Sequence, residues 1–166
     1  MTMVQQLAQA VSPWADFYNA SPVAQSLVNF GHFGGMMTAG GMAVATDRAT
    51  LKVATGEHRL QSRHLRELAG AHSIVLRALV VTAISGLLLL AADVEALVVL
   101  PVFWIKMGLV ALLLANGYQM LRLGRRLEDP GPADPKEWRR LRRTSVLSLL
   151  LWFAVVLAGS ILPNVS

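Results

Sequence analysis

The chain contains no cysteine. That excludes a disulfide framework, thiolate-ligated zinc or iron–sulfur centres, and thiol chemistry of any kind. Charge is also scarce: 15% of the 166 residues are Asp, Glu, Lys or Arg, against about 25% in average soluble chains. The long apolar segments hold no carboxylate, which argues against a proton-coupled carrier built on a buried Asp or Glu. No Gly-x-Ser-x-Gly, His-Glu-x-x-His, phosphate loop or dinucleotide fingerprint occurs. What the chain has instead is apolar bulk, with 54% hydrophobic residues and a mean hydropathy of +0.50. One domain's length with this composition reads as an integral membrane protein.

Four segments are long enough to cross a hydrocarbon core, at residues 23–46, 71–92, 101–121 and 144–162. A span needs roughly 20 residues at about 1.5 Å each. Ser21-Pro22 is a helix-start signal for the first, Pro101 occupies the first helical position of the third, and Pro163 follows the fourth. No proline interrupts an interior. The expected fold is an all-α four-transmembrane-helix bundle, a single membrane domain over residues 1–166.

Charge placement sets the expected topology. Of the 15 basic residues, five lie in the segment 47–70 and eight in the segment 122–143; only Arg77 and Lys106 fall inside spans. The positive-inside rule makes both basic segments cytoplasmic loops and places both termini outside. The net charge of +5 is then an orientation signal with some affinity for anionic headgroups, and nucleic acid is not an expected partner. The expected home is a bacterial inner membrane, multi-pass, N-out and C-out. Residues 1–22 form an outer interfacial segment. Met3, Leu7, Ala10 and Val11 predict a short amphipathic N-terminal helix, and Trp14, Phe17 and Tyr18 an interfacial belt. Asp129 to Pro135 is expected to be a loop.

Ionisable groups inside spans are costly and point to function. His32 lies about 13 Å below the outer edge of the first span at 1.5 Å per residue. It is flanked by Gly31, Gly34 and Gly35, which permit close approach of a helix or a flat cofactor. Asn29, His32 and Met36 share one helical face. Two readings stay open: a histidine hydrogen-bonded across a tight helix pair, or an imidazole ligand for haem b or copper. Lys106 lies about 8 Å into the third span. It either snorkels to the headgroups or faces the bundle as a cation for a propionate or substrate carboxylate.

Arg77 and Asn116 fall at similar depth and are expected to pair between helices. His58 and His64 are expected to be solvated in the basic loop. His72 sits at the opposite end of the membrane from His32, about 15 Å or more away along the helix axes. One iron cannot take both within one protomer.

Asn29-Phe30-Gly31-His32-Phe33-Gly34-Gly35-Met36, then Asp47-Arg48-Ala49-Thr50-Leu51, resembles a pattern of uncharacterised four-span bacterial membrane proteins. Pro101-Val102-Phe103-Trp104-Ile105-Lys106-Met107 resembles the aromatic-x-Lys start of their third span. Both features are also similar to the copper-resistance D-type proteins and the HemJ-type, protoporphyrinogen oxidase-like proteins. The resemblance implies a four-helix haem-binding scaffold using a first-span His and a third-span Lys. The expected function is a haem b-binding redox membrane protein, in electron transfer or porphyrin-related oxidoreduction, with His32 as axial ligand and Lys106, Asn29 and Gly35 at the cofactor. A copper-handling protein using His32 and Met36 is the second expectation, since imidazole and thioether suit Cu(I). A non-catalytic subunit of a larger membrane complex, or a homo-oligomer, is the third.

Overall fold

A computed structural model describes residues 2–54, 58–128 and 135–164. Six helices follow in order: α1 (Met3–Ala20), α2 (Pro22–Val53), α3 (His58–Ala92), α4 (Val94–Val98), α5 (Pro101–Glu128) and α6 (Pro135–Ile161), closed by a 3-10 turn at Leu162–Asn164. No strand occurs among the described residues. The helix α2 packs most extensively on α3, and α5 on α6; α2 also meets α6, and α3 meets α5. These four contacts close a four-helix bundle, the layered solution open to an all-helical chain.

Three of the long helices are apolar enough to cross a membrane, over Arg63–Ala92, Pro101–Leu127 and Pro135–Ile161. Their large side chains point outward in number: Leu87, Leu112 and Phe153 are each more than half exposed. The interior is built from smaller residues, with Ala39, Ala43 and Ala78 around Trp152, Leu151 and Val155. Small residues inside and large apolar ones outside is the arrangement that a lipid solvent permits and water penalises.

Local sequence explains the termini. Thr2 and Gln5 form a reciprocal capping box at the start of α1. Pro13 lies inside α1 and cannot donate to the carbonyl of Gln9; the Ser12 hydroxyl donates to that oxygen instead, at 3.1 Å. The amphipathic helix is therefore longer than the short segment expected and carries Trp14 with it. The Trp14 indole N–H donates to the Leu88 carbonyl of α3 at 2.9 Å, which ties α1 to the bundle. Ser21 caps α2 through the Ala24 N–H, with Pro22 at the first position.

The basic segments differ from expectation. Residues 47–53 continue α2, and α3 begins at His58, so the expected 47–70 loop is mostly helix. The same holds for 122–128, while 129–134 lie outside the described residues. Charge does not break a helix; Gly and Pro do, and the first basic segment has only Gly56 before Gly70. Between Asp93 and Leu100 the chain forms the short α4.

Candidate functional site

His32 faces α3. Its Nδ1 lies 3.1 Å from the Thr82 carbonyl oxygen and 3.3 Å from the Ser85 hydroxyl oxygen. A carbonyl only accepts, so Nδ1 carries the proton and donates. The Ser85 hydroxyl is itself turned to donate to the Val81 carbonyl, 2.7 Å away. This tautomer leaves Nε2 bare, as in histidines that ligate a metal. Gly86 makes the approach possible: a Cβ there would stand 3.1 Å from Cε1 of the ring and 3.4 Å from Nδ1.

One turn on, Gly35 seats α2 against α3. A Cβ at this buried position would collide with the Thr82 hydroxyl and stand 2.9 Å from the Ala78 carbonyl oxygen. Gly40 serves α6 in the same way, with a Cβ position 3.3 Å from the Trp152 ring. By contrast, Gly34 and Gly41 face open space. The glycine run thus divides into packing positions and open ones.

Lys106 of α5 is half-buried and turned into the bundle. Its Nζ lies 3.6 Å from the Cβ position of Gly159 in α6, and the ammonium is within electrostatic reach of the His32 ring. No carboxylate among the described residues forms an ion pair with Lys106. Asn29 lies on the same helix but is engaged elsewhere. Its amide nitrogen donates to the Tyr18 hydroxyl at 3.2 Å and to the Gln25 carbonyl at 2.9 Å, holding α1 to α2. Met36 is half-buried and Met37 exposed. No cluster of three or more His, Asp or Glu side chains suited to a metal occurs among the described residues.

The remaining histidines separate. His72 approaches the Gly117 carbonyl of α5 at 3.4 Å. It precedes Thr82, the contact of His32, by ten residues of one continuous helix. That is about 15 Å along the axis. The side chain of His58 lies outside those described. His64 is not solvated as expected: it is 5% exposed, and its Nε2 lies 2.8 Å from the Thr50 hydroxyl. That hydroxyl donates to the Thr46 carbonyl at 3.0 Å and so accepts from the imidazole. The expected Arg77–Asn116 pair does not form either. Arg77 bonds back to Ser73 on its own helix, while the Asn116 amide donates to the Thr144 carbonyl of α6 at 2.9 Å.

Sequence reading missed a second polar centre at the basic end of the bundle. Asp47 is 1% exposed and lies beside the Ser145 and Ser148 hydroxyls of α6. Neither carboxyl oxygen reaches a partner in hydrogen-bonding geometry, nor does the Ser145 hydroxyl. The signal was present in the helical spacing. Gly35, Ala39, Ala43, Asp47 and Thr50 are the buried positions along one face of α2, so the small-residue stripe runs straight onto the carboxylate. In the expected 47–70 loop a carboxylate at this position would be solvated.

Comparison of the chain with family models, with curated proteins and with solved structures gives no match.

Proposed function

We propose that the chain is a membrane-spanning redox protein that binds haem b through His32. The observation that carries this reading is the tautomer of His32, with Nδ1 held by a backbone carbonyl and Nε2 left free. That is the outer-shell arrangement of a ligating imidazole. Lys106 supports it, as a half-buried ammonium without a counterion at electrostatic distance from the ring. The donor set fits the group: one neutral nitrogen for an iron and one cation for a propionate. When bound, haem supplies reversible one-electron chemistry. The residues of the chain orient the imidazole through Thr82 and Ser85, keep the ring close to α3 through Gly86, and offset the negative charge of a propionate through Lys106. Gly35 acts by setting the distance between α2 and α3. Asn29 acts by holding α1.

In this reading all four long helices span an inner membrane, both termini face outward, and the basic helix ends face the cytoplasm. The distribution of Lys and Arg supports that orientation. An absorption spectrum of the protein purified after haem-sufficient expression tests the proposal. A Soret band that is lost in His32→Ala is the expected result, and a parent protein without haem refutes it.

A second reading has its own support. Gly35 and Gly40 are fully explained by helix packing, and a bundle whose glycines serve close contact suits a structural subunit of a larger membrane complex. A haem-free protein that purifies with another membrane subunit would favour it.

A further inference from the structure

Four arginines converge on one groove between α5 and α6. Arg122 and Arg126 stand one turn apart on α5, opposite Arg140 and Arg143 on α6, with Gln119 and Thr144 completing the polar lining. Leu123 forms its apolar floor. The groove has a volume of about 360 Å³, within the range of small-molecule sites. No carboxylate lines it among the described residues, and none of these guanidiniums is ion-paired there. Arg122 rests over the Tyr118 ring, 5.8 Å from its centroid, which steers the side chain without neutralising it.

Orientation in a membrane needs basic residues at one end of the spans, but it does not need them gathered in one cleft. Arg125, Arg139 and Arg142 satisfy that rule equally well and do not line the groove. Four like charges facing one another across two packed helices repel, and an anion relieves the repulsion. The guanidinium fork matches phosphate oxygens in pairs. Two forks from each helix suit two phosphate groups. On the same helix faces, Leu112, two turns before Gln119 on α5, and Leu147, one turn after Arg143 on α6, are exposed and apolar, so acyl chains have a surface to lie on.

We infer that the α5–α6 groove is a binding site for a ligand carrying two phosphate groups, delivered by a dianionic phospholipid at the membrane surface or by a soluble diphosphate. Basic pockets between membrane helices are physically suited to such headgroups. The inference does not depend on whether His32 holds a cofactor.

The test uses the full chain in a neutral detergent, titrated with diphosphatidylglycerol, phosphatidylglycerol, phosphatidylcholine or inorganic pyrophosphate. Bound lipid phosphorus per protein and the shift of the unfolding midpoint are both read. The double variant Arg122→Gln/Arg140→Gln should bind the diphosphate ligand about tenfold more weakly or worse, since each change removes a charge-assisted contact. The control Arg125→Gln/Arg139→Gln removes the same charge outside the groove and should bind like the parent. All four positions are exposed, and unchanged helicity by circular dichroism confirms that the variants fold. Diphosphatidylglycerol retained against excess pyrophosphate assigns the site to lipid; pyrophosphate binding without lipid retention assigns it to the soluble source. Equal weakening in both double variants would overturn the site, because bulk charge would explain it. So would equal affinity for phosphatidylglycerol and diphosphatidylglycerol.

Discussion

The Nδ1 of His32 on α2 and the carbonyl oxygen of Thr82 on α3 are 3.1 Å apart, across the most extensive helix contact in the bundle. The bond fixes the ring from the backbone, so no side-chain substitution at residue 82 removes the acceptor. The sensitive neighbour is Gly86. A methyl group there would stand 3.1 Å from Cε1 and must turn the imidazole. If the chain holds haem as proposed, Gly86→Ala is expected to shift or broaden its spectrum while leaving helicity intact, and His32→Ala to abolish it. Under the same proposal Lys106→Ala should weaken haem retention or move the midpoint potential while leaving a Soret band in place. An unaltered spectrum in both Gly86→Ala and His32→Ala would remove His32 from the site.

The glycines of α2 provide a comparison within one helix. Gly35→Ala must part α2 from α3, because the added carbon meets backbone atoms of Ala78 and Thr82 at 2.9 and 3.1 Å. Overpacking of this kind costs about 1–3 kcal/mol. Gly34→Ala and Gly41→Ala meet nothing within 4 Å. They should be neutral or gain up to about 1 kcal/mol from helix propensity. Thermal unfolding in detergent separates the cases; a Gly35→Ala midpoint equal to that of Gly34→Ala contradicts the close packing.

The helical class and three strongly apolar helices were legible because they depend on local hydropathy. The same local signals placed a cap at Ser21 and helix starts at Pro22 and Pro101. What the sequence concealed was non-local. Asp47 is buried because Ser145 and Ser148, about a hundred residues later, pack over it. His64 is buried because α2 continues past Arg48 far enough to present Thr50. Charge alone points both to a loop, whereas only the partner helix decides their exposure. Arg77 illustrates the converse error. Similar depth suggested a bond to Asn116, but depth does not fix the angle around a helix, and Arg77 turns outward.

Asp47 gives a stability prediction with a definite sign. A carboxylate removed from water without well-placed donors is destabilising, and a neutral amide of the same shape avoids that cost. Asp47→Asn is expected to raise the unfolding midpoint, by roughly 2–4 °C for each kcal/mol regained in a chain of this length. A lower midpoint would mean that the carboxylate is compensated in the folded protein, and a salt titration of the parent would then identify a bound cation.

Thr50 and His64 form a pair whose members should not be equivalent. Thr50→Val keeps the shape and removes the hydroxyl, leaving the imidazole nitrogen buried and unpaired. That loss costs about 1–3 kcal/mol. Changing both, Thr50→Val with His64→Leu, removes the unpaired donor as well and should recover part of the loss. Additive destabilisation in the double variant would show that the 2.8 Å bond contributes no coupling.

The proposed orientation rests on thirteen basic residues, the five of segment 47–70 and the eight of segment 122–143. Each Lys or Arg costs about 2.5–3.5 kcal/mol at the centre of a membrane helix, so the basic ends strongly favour one side. With the four spans proposed above, the two chain ends share the opposite side. A C-terminal alkaline phosphatase fusion, active only outside the cytoplasm, should therefore be active, and a C-terminal green fluorescent protein exported in the same way should be dark. A reporter inserted at 129–134 should show the reverse. A green fluorescent protein that stays fluorescent at the N-terminus while the C-terminus faces outward would mean that α2 does not cross, leaving as spans the three helices apolar enough to cross a membrane. In that case His32 would lie at the membrane surface, and the haem assignment would lose its buried ligand.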